Sequence, residues 1–356
     1  MQRAPTTGFD LEALKGVFDD SSANVRARIA TLYAILIASN VAAWAVALVA
    51  FHSQPALVGT ALLAYTFGLR HAVDADHISA IDNVTRKLMA DGKRPVAVGF
   101  FFSLGHSTIV VVLTAGIALA AGSIQRAFPR LQDIGALAGT SISALFLYLI
   151  AAVNLVVLIQ VTRAFYAVRD GRTYDEASVE SFLLERGPIG RFCGPLFRLI
   201  GKSWHMYPLG VLFGLGFDTA TEVGLLGIAA IQAGKGLPIA TILIFPLLFT
   251  AGMSLIDTTD GVLMLGAYGW AFVDPVRKLY YNMNVTLLSV LVALFVGTVE
   301  ALGVLAAQFN LAGPLWAALG RLNENFGALG FTILAIFAAS WLVSALTYRA
   351  RRANAE

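Results

Sequence analysis

The 356-residue chain is 58% hydrophobic and only 13% charged, with a mean hydropathy of +0.74, well outside the usage of soluble domains. Its net charge of +3 and pI near 9.0 do not point to a nucleic-acid partner, because the basic residues sit between apolar segments, where membrane topology places them. The single cysteine, Cys193, excludes an internal disulfide and a multi-thiolate metal site. Residues 1–28 are mixed polar and acidic, without the short apolar core of a cleavable signal peptide, and read as a cytoplasmic N-terminal segment.

Apolar stretches then follow at 29–51, 56–82, 96–121, 137–162, 206–233, 238–266, 281–307 and 326–348. Each has roughly the 20 residues that a helix needs to cross a hydrocarbon core. Lipid offers no partners to bare backbone, so every span is expected to be helical. The fold class is therefore an all-α polytopic membrane protein with eight transmembrane helices. Lys and Arg orient it. If both termini are cytoplasmic, the outside loops carry only Arg126, Arg130, Lys235 and Arg321, and Arg70 lies within a span. The rest of the 25 basic residues fall inside, as the positive-inside rule requires. The chain thus divides into spans one to four (29–162), a cytoplasmic loop (163–205), spans five to eight (206–348) and a cytoplasmic tail (349–356). The expected setting is the cytoplasmic (inner) membrane, with lipid as surroundings and no nucleic-acid partner.

Ionisable residues at membrane depth mark a site or a path by default. The second span carries His71, Asp74, Asp76 and His77, and the third carries His106 in Phe-Phe-Ser-Leu-Gly-His-Ser-Thr (101–108). The fifth carries Asp218 and Glu222, and the sixth Asp257 and Asp260. Counted along their helices, these fall between the bilayer midplane and the inner leaflet. Imidazole and carboxylate without thiolate suit Ni²⁺, Co²⁺, Zn²⁺, Mn²⁺ or Fe²⁺ and disfavour Cu⁺. All nine residues are candidate ligands. Blander readings accompany them. Arg70 and Asp74 have the spacing of a structural ion pair, Asp82 reads as interfacial beside a basic loop, and Glu300 stands without an assigned role.

Helical geometry constrains the second span. His71 and His77 are separated by six positions, a net angle of about 120° around a regular helix. Either the backbone unwinds after Gly68, as in transporters with discontinuous helices, or only one imidazole reaches the ion.

The second and fifth spans align, Phe67-Gly-Leu-Arg-His-Ala-Val-Asp-Ala-Asp76 against Phe213-Gly-Leu-Gly-Phe-Asp-Thr-Ala-Thr-Glu222, which places Asp76 on Glu222. Phe102-Ser-Leu-Gly-His106-Ser of the third aligns with Phe249-Thr-Ala-Gly-Met253-Ser of the sixth. A three-span offset reverses direction, so the pattern predicts an inverted three-plus-three helix repeat.

With these motifs the chain resembles the nickel/cobalt transporter family (NiCoT) over nearly its whole length. Arg70–Ile78 fits that family's Arg-His-Ala-x-Asp-Ala-Asp-His-Ile signature residue by residue, and 101–108, Leu215–Glu222 and 252–261 fit three further motifs in order. The resemblance implies high-affinity uptake of Ni²⁺ or Co²⁺ with His71, Asp76 and His77 required, and leaves the preference between the metals open. The chain is expected to be a transporter and not an enzyme, with the ion as substrate and no cofactor. It has no Gly-rich phosphate-binding loop. Two rivals are metal efflux by the same architecture and a membrane metalloenzyme. The first is disfavoured by the lack of a His-rich loop, the second by the lack of a His-Glu-x-x-His helix.

Overall fold

The computed structural model describes residues 16–21, 24–119, 128–169, 200–215, 220–271, 275–325, 328–333, 335, 336 and 339. Among them every long element is an α-helix. In chain order these are α1 (Val25–Phe51), α2 (Pro55–His71), α3 (Ala75–Ala90), α4 (Val98–Leu119), α5 (Phe128–Arg169), α6 (Met206–Phe213), α7 (Ala220–Gly234), α8 (Ile244–Ala271), α9 (Pro275–Phe309) and α10 (Pro314–Glu324). A single turn, Ile239–Ile242, leads into α8. Four helical stretches are long and apolar enough to cross a membrane, namely Val25–Phe51, Val98–Leu119, Ile239–Ala267 and Thr286–Phe309. The bent pair α2–α3 makes a fifth if it counts as one span. The expected span at 326–348 lies largely outside the described residues, as do most of the 163–205 loop and the tail.

The second span is not one helix. α2 and α3 meet at 51° across a three-residue break, Ala72–Asp74. No glycine or proline lies in the break. Turn-type bonds close the end of α2, from Val73 N to the Arg70 carbonyl and from Asp74 N to the His71 carbonyl. Asp74 then takes an extended conformation (ψ 147°) as the N-cap of α3. An N-cap aspartate ordinarily accepts from its own helix; this one does not, because its carboxylate is bound to His71. The unwinding thus falls at 72–74 and not directly after Gly68, which is helical.

Gly68 has another use. A Cβ there would lie 2.1 Å from the Phe249 carbonyl oxygen of α8, so hydrogen at this position lets α2 and α8 cross backbone to backbone. Gly105 of α4 and Gly210 of α6 make a second such crossing, against the carbonyls of Tyr207 and Phe102 respectively. Small residues at helix contacts are how helices approach closely in lipid, where apolar faces have no drive to leave solvent. Around these crossings pack Phe102, Phe213 and Ile81 on one side and Phe51, Phe245 and Phe249 on the other. The outer faces carry exposed Val41, Val49, Val112, Leu263 and Leu291, an apolar exterior suited to lipid.

At one end of the bundle, residues 16–21, 24–28, 87–94 and 200–203 are tied together. Arg28 donates from Nε to the Val17 carbonyl (2.9 Å) and from Nη1 to the Arg94 carbonyl (2.8 Å), and its Nη2 lies 3.5 Å from Asp20 Oδ1. Asp20 accepts from the backbone N–H and hydroxyl of Ser203, both at 2.7 Å. Lys87 donates to the Ile200 carbonyl, and Lys93 to that of Gly201. Arg28→Met would remove the cation beside the buried Asp20 carboxylate, leaving that group to Ser203, and the donor to two carbonyls, at an expected cost of about 3 kcal/mol. The check is a thermal melt of the purified protein, and an unchanged midpoint would show that the ties are dispensable.

A candidate metal centre

The break in the second span turns two histidines that a straight helix would keep apart toward one point. The ring centroids of His71, His77 and His106 form a triangle with sides of 4.6, 4.8 and 4.9 Å. All three residues are at most 3% exposed. One nitrogen from each lies within 4.8 Å of the other two, the spacing of groups able to share an ion. His71 comes from the last turn of α2, His77 from the first turn of α3, and His106 from the middle of α4.

Hydrogen bonding fixes which nitrogens face the centre. His71 Nδ1 lies 2.9 Å from Asp74 Oδ2 and 3.3 Å from Thr221 Oγ1. A carboxylate only accepts, so His71 Nδ1 donates, and in the neutral ring Nε2 keeps its lone pair. His77 Nδ1 faces Asp257 Oδ1 at 3.3 Å and is placed to donate likewise, and its buried Nε2 has no hydrogen-bond partner among the described residues. The His71 Nε2 lone pair meets His106 Nε2 at 2.9 Å, and that nitrogen also lies 2.9 Å from Glu222 Oε1. Glu222 Oε1 is 3.9 Å from His71 Nε2. His71 Nε2, His77 Nε2 and Glu222 Oε1 therefore bring lone pairs together around His106 Nε2, with a carboxylate behind two of the imidazoles. His106 Nε2 lies between two acceptors and carries the proton that an ion would displace. Ligating histidines are held by this kind of partner, which sets their tautomer and raises their basicity.

Helix ends support the arrangement. Asp76 lies in the first turn of α3 and Glu222 in the first turn of α7, where the positive end of each helix favours a carboxylate. His71 lies at the negative, C-terminal end of α2, which favours a cation.

The candidates thus separate. His71, Asp74, His77, His106, Glu222 and Asp257 are joined by direct contacts. Asp76 is half-buried beside them. Asp260 is buried one turn beyond Asp257 and makes no hydrogen bond to the three rings. Asp218 lies outside the described residues. One bland reading fails: Arg70 is exposed, and Asp74 pairs with His71 instead. Asp82 is fully buried, and Arg86 and Lys87 belong to its own helix, since α3 continues to Ala90. Glu300 accepts from Ser143 at 3.1 Å, a bridge between α9 and α5.

The site also has members that motif reading passed over. Thr221 contacts His71, and the Phe102 and Phe249 rings wall the cluster at 4.8 Å from His77 and 5.6 Å from His71. The repeat alignment contains the missed signal, since it pairs Phe102 with Phe249.

A bundle of apolar helices closed over a buried imidazole–carboxylate centre is the build of a multi-pass membrane protein that handles a cation. Residues 57–347 match the family described as "High-affinity nickel-transport protein", and the chain belongs to that family of nickel transporters. It is 56% identical over 341 residues to a high-affinity nickel transport protein of Cupriavidus necator, covering 96% of this chain and 97% of the relative. It is 49% identical to the nickel transporter NicT of Mycobacterium tuberculosis (90% of this chain, 88% of the relative). Identity to the cobalt transport protein NhlF of Rhodococcus rhodochrous is 44% (80% and 81%). No solved structure matches the chain. The protein is thus a transporter and not an enzyme, and the metalloenzyme rival is set aside.

Proposed function

We propose that this protein imports Ni²⁺, and Co²⁺ where available, across the cytoplasmic membrane by alternating access, with the ion bound between His71, His77, His106 and Glu222. The observation that carries this reading is the convergence of His71 Nε2, His106 Nε2 and Glu222 Oε1 at separations of 2.9, 2.9 and 3.9 Å. Donors about 2.1 Å from a metal stand about 3.0 Å apart when adjacent and about 4.2 Å apart when opposite in a right-angled field. Such a tetragonal field of nitrogen and oxygen suits Ni²⁺. Asp74 and Asp257 hold the imidazoles from behind, and Asp76 adds negative charge that offsets the divalent ion.

In this reading eight helices span the bilayer with both termini inside, and the two halves form an inverted repeat. Two features support the repeat. The second and fifth spans are each interrupted, α2 ending at His71 before α3 starts at Ala75, and α6 ending at Phe213 with a turn at Gly214 and Leu215. The close crossings are also exchanged between halves. Gly68 of the second span meets Phe249 of the sixth, and Gly210 of the fifth meets Phe102 of the third, the two phenylalanines being equivalent in the alignment. Strict equivalence would place Gly214 on Phe102, so the fifth span is shifted by one helical turn. Rocking of one half against the other would expose the centre to each side in turn.

An inside-negative potential favours uptake of a divalent ion by about 4.6 kcal/mol per 100 mV. Radioactive nickel uptake into vesicles should therefore rise with an imposed inside-negative potential, without ATP, and fall to background in His71→Ala and Asp76→Asn. Equal accumulation by the wild type and both variants would end the reading, and net exit under the same gradient would favour efflux.

A further inference from the structure

We propose that residues 16–21 and 200–203 form a cytoplasmic latch between the two halves of the transporter, shut in this structure, which must open for the ion to leave the histidine centre inward. This rests on the transport reading above.

The two segments belong to different halves. Val17, Phe18 and Asp20 precede the first span, and Arg28 in the first turn of α1 holds them, with Nε 2.9 Å from the Val17 carbonyl and Nη2 3.5 Å from Asp20 Oδ1. Arg94, between α3 and α4, donates its backbone N–H to the Asp20 carbonyl at 2.8 Å. These residues therefore move with spans one to three. Residues 200–203 stand just before the fifth span. Gly201 N donates to His205 Nδ1 at 3.2 Å, and Ser203–His205 form a turn that runs directly into α6, so this segment moves with the second half. The ties between the segments cross from one half to the other. Ser203 donates from its backbone and its hydroxyl to Asp20, both at 2.7 Å. Lys87 of α3 donates to the Ile200 carbonyl at 2.8 Å, and Lys93 donates to that of Gly201.

The latch covers the way inward from the metal centre. Val17 is 2% exposed and packs in one apolar cluster with Ala75 and Ile78, which flank Asp76 and His77 on α3. Phe18 stacks on Phe100 at 5.8 Å and leans on Phe101 at 5.1 Å, both in the first turn of α4, whose Phe102 walls His77. Charge closes the same end. Arg28, Lys87 and Lys93 are fixed there and outnumber the Asp20 and Asp91 carboxylates that touch them, so a divalent ion meets net repulsion while the latch is shut. The latch is also built to open. Its ties are hydrogen bonds at a rim where Asp91 is 43% exposed, and water there replaces a lost partner. Beside the metal centre the same halves meet at Gly68 and Gly105, where backbone lies against backbone, a contact that can serve as a pivot.

Cys193 is the only cysteine, so a Cys193→Ala parent leaves room for introduced thiols. In that parent Asp20→Cys and Ser203→Cys would be joined by a short, cleavable thiol-reactive linker. Radioactive nickel uptake into vesicles should fall to background in the linked protein and return when the link is reduced. The Co²⁺ absorption of the purified protein should persist throughout, which separates lost movement from lost folding or binding. The same linker across Asp19→Cys and Ser21→Cys, which lies within one segment, should leave uptake unchanged. A second variant needs no link. Ser203→Ala keeps every other tie, and should speed the reaction of a maleimide with Val17→Cys in lipid nanodiscs about tenfold, the factor for one hydrogen bond to a carboxylate. Undiminished uptake by the linked protein, or an unchanged maleimide rate in Ser203→Ala, would overturn the latch. Absence of uptake by the parent, with the maleimide rate still raised in Ser203→Ala, would instead strike the transport reading and leave the latch as a moving part.

Discussion

Asp257→Asn should raise the KM for radioactive nickel uptake by about 10- to 100-fold, while His77→Ala, which removes the proposed ligand itself, should abolish uptake. The magnitude is that of losing a group that orients a ligating histidine. Asp257 Oδ1 lies 3.3 Å from His77 Nδ1, and the pair is entirely buried. Asparagine keeps the size and can still accept a proton from Nδ1, but it carries no charge. The ring would stay in place while its Nε2 became a poorer donor to the metal. The loss should therefore appear in KM before the maximal rate, and the melting temperature should hardly move. Asp74→Asn should act in the same way through His71, whose Nδ1 lies 2.9 Å from that carboxylate. An unchanged KM in Asp257→Asn would show that His77 is oriented by its surroundings alone.

What could be read from the sequence follows from the strength of each signal. Hydropathy marked the apolar helices, and the cost of charge in lipid marked the polar residues, so the histidine cluster was legible from types and depth alone. The six-residue spacing of His71 and His77 forced a choice between a broken helix and a single ligand, and the backbone does break. Its position was legible only as lying after Gly68. That glycine serves close approach to Phe249, and the helix yields a turn later, where Asp74 prefers the His71 ring to its own backbone. The helix end was placed too early, at Asp82, because Arg86 and Lys87 look like loop residues. α3 instead buries their stems and uses the Lys87 ammonium as a donor to the Ile200 carbonyl. The short helix Pro314–Glu324 fell in what had read as a loop, since eleven residues with three polar or charged side chains give no hydropathy peak. Thr221 escaped because a lone hydroxyl carries no signal until its partner is known.

Gly105→Ala and Gly210→Ala should each prevent accumulation of folded transporter, whereas Gly116→Ala on the same α4 should be silent. A methyl on Gly105 would lie 2.0 Å from the Tyr207 carbonyl oxygen and 2.9 Å from Val211 N. One on Gly210 would lie 2.0 Å from the Phe102 carbonyl oxygen. Backbone cannot swing aside as a side chain can, so α4 and α6 would have to separate by more than an ångström, at a cost of about 3 kcal/mol or more. Gly116 has nothing within 4 Å of that position. Separation would also reach the metal centre, because His106 directly follows Gly105 and its Nε2 lies 2.9 Å from both His71 and Glu222. Any Gly105→Ala protein that survives should therefore bind Co²⁺ poorly as well as run heterogeneously on size exclusion. The double variant should be less than additive, since the first methyl already opens the crossing that the second would clash with. Wild-type yield and uptake in both single variants would mean that α4 and α6 do not cross at these glycines.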